Sequence, residues 1–100
     1  MPIVVRYQTK ADHADENQEL IEAVFTQLKK QAPGGVQYAA FRLADGTFVH
    51  VADVTADPNP LNDLPAFQAF VAELGERCEP GNGPNPQPAA VVGNYGLLTE

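Results

Sequence analysis

The segment Val36 to Val54, VQYAAFRLADGTFVHVADV, constrains this chain more than any other, because it reads as two alternating strands that reverse at Asp45-Gly46. Turn length decides which side chains share a face. Cross-strand partners lie on the same side of a sheet, and a slip of one residue exchanges the faces. A two-residue turn sets His50 opposite Phe41 and Arg42 opposite Val49. A three-residue loop, Ala44-Asp45-Gly46 with Gly46 left-handed, sets His50 opposite Ala40 and Arg42 opposite Phe48. The longer loop gathers Ala39, Phe41, Leu43, Val49 and Val51 on one face, and Tyr38, Ala40, Arg42, Phe48 and His50 on the other. It separates apolar from mixed side chains far better, so it is the expected register.

The flanking segments supply the rest of a sheet and its cover. Ile3 to Thr9 is rich in β-branched and aromatic residues and reads as a strand. A helix follows, with Asp12 or Asp15 as its cap and Leu20, Ile21, Val24, Phe25 and Leu28 as its apolar stripe. Lys29-Lys30 and then Pro33-Gly34-Gly35 end it. After the turn-rich Asp57-Pro58-Asn59-Pro60, a second helix is expected, capped by Asn62 or Asp63 and accepting Pro65 in its first turn. Phe67, Phe70, Val71, Leu74 and Cys78 form its stripe. Glu79 to Pro88 reads as too broken by proline and glycine for regular structure, and Ala89 to Leu98 as the last strand.

The order is therefore β-α-β-β-α-β, an α+β chain with a four-stranded antiparallel sheet and two one-striped helices on one face. Residues 1–100 form one domain, since a chain of 100 residues has room for a single core. The expectation at this point gives the wholly apolar hairpin face to the helices. The other sheet face is then left uncovered, which a monomer seldom tolerates. A face-to-face homodimer would enclose a cavity walled by Arg6, Tyr38, Arg42 and His50.

Composition excludes several partners. Six basic against 13 acidic residues give a net charge of −7, without the basic footprint that nucleic acid or an anionic membrane surface requires. No run approaches the ~20 apolar residues of a spanning helix. One cysteine makes no internal disulfide, and a cytoplasmic location is expected. His13 and His50 sit on different elements, the carboxylates lack ligand-like grouping, and no metal site is expected.

The element order, the third strand FVHVADV and the second helix LPAFQAFVAEL resemble the dimeric α/β-barrel superfamily, and within it the antibiotic-biosynthesis-monooxygenase (ABM) domains. The resemblance covers nearly the whole chain. It implies a ferredoxin-like fold, a homodimer, and a small cavity either between each sheet and its helices or between the paired sheets. Some members of this group oxidise aromatic polyketides without metal or flavin, and others degrade haem. The chain has no Trp and does not match the Asn-Trp-His set of the haem-degrading members.

His50 is the candidate catalytic residue, since a neutral imidazole can act as a base or orient a phenolic or carbonyl group near pH 7. Its bland alternative is a strand histidine at a dimer seam. Arg6 and Arg42 are candidates for binding a carboxylate or enolate-like oxygen, and equally for surface ion pairs. Tyr38 is a candidate ligand hydrogen-bonding group and Phe48 a candidate ligand-contacting wall, though aromatics on sheets commonly serve packing. The leading expectation is a homodimer that binds a small aromatic or carboxylated molecule and, if it is an enzyme, a cofactor-independent monooxygenase. Two alternatives stand beside it. MPIVVRYQ resembles the start of the tautomerases, in which a Pro2 amine would serve as base, and a non-enzymatic ligand-binding dimer needs no turnover.

Overall fold

In the computed structural model, which describes residues 1–97, strand β2 (Val36–Arg42) and strand β3 (Thr47–Val54) form the expected hairpin. Ala40 lies opposite His50 and Arg42 opposite Phe48, the register of the three-residue loop. Gly46 is left-handed at φ 86. The loop closes through Leu43 N–H to Thr47 O at 2.8 Å and Gly46 N–H to Leu43 O at 3.2 Å. The Asp45 carboxylate accepts from Thr47 N–H at 2.9 Å, which ties the turn to the first residue of β3.

Strand β1 (Ile3–Gln8) pairs antiparallel with β3, and β4 (Asn85–Pro88) pairs antiparallel with β1, giving the order β2-β3-β1-β4. Helix α1 (Ala14–Gln31), helix α2 (Pro65–Ala72) and the single turn α3 (Leu74–Arg77) cover one face. The result is a ferredoxin-like α+β fold. Asp15 and Glu16 occupy the first turn of α1 and Lys29 and Lys30 its last, in accord with the helix dipole. The caps differ from expectation. His13 and not Asp12 or Asp15 occupies the position before α1, Leu64 the position before α2, and neither side chain makes a cap hydrogen bond. The Ala66 N–H of α2 is instead taken by Gln27 of α1 at 3.0 Å, so a tertiary contact replaces a local cap.

The two faces of the hairpin are assigned the other way round from the sequence expectation, whereas Val4 and Arg6 of β1 lie on the open side as expected. Tyr38, Ala40, Phe48 and His50, with Val5 and Tyr7 of β1, pack beneath the helices against Ile21, Val24 and Phe70. Ala39, Phe41, Val49 and Val51 lie on the open face, and Phe41 is 45% exposed. Two physical reasons favour this choice. The aromatic side chains of the mixed face have the volume to fill the space between sheet and helices, whereas Ala39, Val49 and Val51 do not. The polar atoms of the mixed face are buried at little cost because they bond one another. Phe48 is 1% exposed and stacks on Tyr7 with ring centroids 5.6 Å apart. Truncating it to Ala would cost about 3–5 kcal/mol.

The last strand also differs. Asn85–Pro88 is β4, in the segment expected to be irregular, and Ala89 to Leu97 is not a strand; Leu98 lies outside the described residues. Proline spacing allows this. Ala89 N–H bonds Pro2 O at 2.8 Å, so the amides of Asn85, Gln87 and Ala89 aim at β1, and Pro86 and Pro88 fall on the outward side where no N–H is needed. The ladder stops where β1 runs out. Ile3 faces Pro88 and Pro2 takes Ala89, so Val91 and Val92 beyond have no strand beside them among the described residues.

Candidate functional site

A cavity of about 650 Å³ opens between the sheet and α2, within the size range of small-molecule sites. Ile3 and Val5 of β1 and Ala52 and Val54 of β3 form its floor, and Phe67, Phe70 and Val71 of α2 its opposite wall. Along β3 the inward residues run His50, Ala52, Val54 and then into the loop Thr55 to Asn59. The loop therefore edges the mouth, and His50, with Tyr7 and Tyr38, lies at the deep end.

That deep end is a hydrogen-bonded chain. Tyr38 Oη meets His50 Nδ1 at 2.5 Å, and His50 Nε2 meets Tyr7 Oη at 2.7 Å. Asn17 Nδ2 donates to Tyr7 Oη at 3.0 Å. Arg77 Nε donates to Asn17 Oδ1 at 3.1 Å, and its terminal nitrogen donates to Phe70 O at 2.6 Å. Asn17 is fully buried and Arg77 is 4% exposed. Each is held by an element packed for other reasons: Asn17 by the inner face of α1, Arg77 by the turn α3, whose exit is pinned by Lys10 N–H to Arg77 O at 2.8 Å.

Burial fixes the protonation states. Desolvation pulls the His50 pKa from 6.5 down to about 4, so the imidazole is neutral at physiological pH. Burial raises Tyr7 and Tyr38 above the ordinary tyrosine value, partly offset at Tyr7 by the Asn17 hydrogen bond, so both stay protonated. His50 also stacks on Phe70 with centroids 5.4 Å apart, which holds the ring plane.

Of the residues singled out from sequence, the structure brings His50 and Tyr38 together on the cavity and leaves the others away from it. Phe48 is in the core. Arg42 sits at the surface end of β2, donating to Asp15 at 3.0 Å and to Gln18 at 2.7 Å, with its guanidinium 5.8 Å from the Phe48 ring centroid. Arg6 is exposed on the opposite face, beside Gln8, Asp45 and Asn82. The expected common wall of Arg6, Tyr38, Arg42 and His50 is thus not formed, because the Tyr38 and His50 face of the hairpin packs inward while Arg6 keeps its expected place on the open side of β1, and Arg42 lies at the surface end of β2. Pro2 borders Gln37, Ala39, Val51 and Asp53, not the cavity. Sequence reasoning missed Tyr7, Asn17 and Arg77. The legible signal was an Asn on the buried side of an amphipathic helix, one turn before Leu20 and Ile21.

The fold and this sheet-to-helix cavity define a ferredoxin-like α+β protein. No family model and no curated protein matches the sequence. Among solved structures the chain is similar to Rv0793 from Mycobacterium tuberculosis, at 17% identity over 93% of this chain and 95% of that one, with a TM-score of 0.69. It is similar also to an antibiotic biosynthesis monooxygenase, at 15% identity over 90% and 98% with a TM-score of 0.65. A dimeric ferredoxin-like protein of unknown function from Jannaschia sp. CCS1 matches at 13% identity over 90% and 97%, with a TM-score of 0.64. Among the described residues no helix is long and apolar enough to cross a membrane.

Proposed function

We propose that the protein is an ABM-type dimeric α/β-barrel protein, a homodimer that binds a small oxygen-bearing aromatic molecule in the cavity between sheet and helices. The observation that carries the reading is a largely apolar, aromatic-walled cavity ending in the Tyr38–His50–Tyr7 group. Neither arginine borders the cavity, which favours an aromatic ligand over a carboxylate. Val4, Ala39, Phe41, Val49 and Val51 form the open sheet face, and pairing that face with a second copy would remove it from water. A dimeric neighbour of the same fold supports this.

The chemistry this site suits is cofactor-independent oxygenation. An aromatic substrate with an acidic ring methylene enolises and gives electrons to dioxygen; one oxygen atom becomes the new carbonyl and the other leaves in water. His50 has both ring nitrogens engaged by tyrosines, so it acts as an orienter of Tyr38, whose hydroxyl meets the substrate oxygen. The test is oxygen uptake and product analysis over a panel of enolisable aromatic ketones. Tyr38→Phe and His50→Gln should each lower kcat/KM about 100-fold with the dimer retained. Unchanged turnover in both variants sinks the catalytic assignment. Ligand-induced thermal stabilisation without any oxygen uptake would identify a binding dimer instead.

A further inference from the structure

We infer that the cavity takes its ligand through an acceptor oxygen, of the ketone, quinone or enolate kind, because a hydrogen-bond chain begun at Arg77 leaves the Tyr38 hydroxyl proton as the group offered to the ligand. The inference rests on the cavity being a ligand site, and it adds the polarity of that site. A guanidinium can only donate. Arg77 Nε therefore meets the oxygen end of the Asn17 amide, at 3.1 Å, and turns its NH₂ toward Tyr7 Oη, at 3.0 Å. The Tyr7 oxygen is thereby an acceptor, and its own proton goes to His50 Nε2 at 2.7 Å. A neutral imidazole with Nε2 accepting carries its proton on Nδ1, which donates to Tyr38 Oη at 2.5 Å. Tyr38 borders the cavity, and none of its hydrogen bonds among the described residues takes the remaining O–H proton.

Reversing the chain to accept a proton from a ligand would turn His50 to its Nε2–H form. Tyr7 Oη would then accept from both Asn17 and His50, and its own proton would be stranded in a site that is 2% exposed. That penalty translates into a preference of about tenfold or more for a ligand that accepts over a matched one that donates. Asn17 and Arg77 are positioning residues here, acting on the ligand through Tyr7, His50 and Tyr38. Their distance from it in sequence and space hides the role.

One substitution should invert the device. In Asn17→Asp both side-chain oxygens accept, one from Arg77 and one from the Tyr7 proton. Tyr7 then accepts from His50 Nε2–H, Nδ1 takes the Tyr38 proton, and a Tyr38 lone pair faces the cavity. The experiment combines ¹⁵N NMR of the His50 ring with binding of two probes of equal size, 1-tetralone (acceptor) and 1-naphthol (donor). Expected are an Nδ1–H ring and an approximately tenfold preference for 1-tetralone in the native protein. An Nε2–H ring and a preference for 1-naphthol are expected in Asn17→Asp. Tyr38→Phe should bind the two probes alike. The native ring alone tests the chain if Asn17→Asp does not fold: an Nε2–H or doubly protonated ring overturns it. A probe preference that survives in Tyr38→Phe overturns it as well. If the rings behave as expected and neither probe binds, the ligand reading of the cavity fails, and the ligand-class inference with it.

Discussion

Arg77 donates from Nε to Asn17 Oδ1 at 3.1 Å across 60 residues of sequence, and both side chains are buried. This contact joins the turn α3 to the inner face of α1 beneath the cavity. The second Arg77 donor is spent on Phe70 O, and the guanidinium lies 5.6 Å from the Phe70 ring centroid. One cation thus ties three helical elements to the polar end of the site.

Arg77→Met should destabilise the protein by about 2–4 kcal/mol, because it strands Asn17 Oδ1 and Phe70 O in a dry environment. Urea unfolding measures this. A loss below about 0.5 kcal/mol would mean that water replaces the guanidinium.

His50 gives the acid limb of stability a specific window. Its folded pKa is about 4 against 6.5 for the free side chain, so the unfolded chain binds more protons between those values. Stability should be insensitive to His50 above pH 6.5 and fall as the pH drops toward 4, by about 3 kcal/mol in all. Asp45, whose carboxyl is held below its usual 3.8 by bonds to Thr47, loses its contribution at still lower pH. His50→Gln should flatten the midpoint of thermal unfolding across pH 4 to 6.5. An unchanged slope would show that the ring is already charged in the native state.

The open sheet face should behave as a seam between two copies. Val49→Asp and Phe41→Glu each place a charge there while leaving the helix-covered face untouched. Sedimentation equilibrium should find a dimer for the native chain and a folded monomer for the double variant. A native monomer would refute the seam.

Two glycines at positive φ should respond differently to alanine. A Cβ on Gly35, at φ 75, would stand 2.9 Å from both Ala56 Cβ and Ala56 N, beside the mouth of the cavity. Gly46, at φ 86, has only Thr9 O at 4.0 Å. Gly46→Ala should cost about 1 kcal/mol of left-handed strain. Gly35→Ala adds a backbone clash and should cost about 3 kcal/mol. Equal losses in chemical denaturation would contradict the close packing at Ala56.

Local chemistry was legible in the chain. Gly46 after Ala44-Asp45 sets the hairpin register, because the loop length and the left-handed residue decide which partners meet. Period and punctuation placed both helical segments, and Pro65 does occupy the first turn of α2, although the expected second helix breaks at Glu73 into α2 and the turn α3, with Cys78 extended beyond it. Alternation likewise separated Tyr38 and His50 from Ala39 and Val51. It carries no sign, however: a strand pattern says that two faces differ, and not which one a helix will cover.

That choice belonged to the tertiary structure. The mixed face goes inside because Asn17 and Arg77, on two other elements, satisfy the tyrosine and histidine groups that burial would otherwise leave unbonded. The position of β4 was decided in the same way, by where the edge of β1 ends and by which side of that edge needs no N–H from Pro86 and Pro88. Sequence therefore determined the first three strands, the helical segments and the hairpin register, all of which depend on neighbours a few residues away. Which face is buried, which polar atoms share protons and what lines the cavity rest on partners as far apart in sequence as Asn17 and Arg77 or Ile3 and Val71, and only the folded chain brings those together.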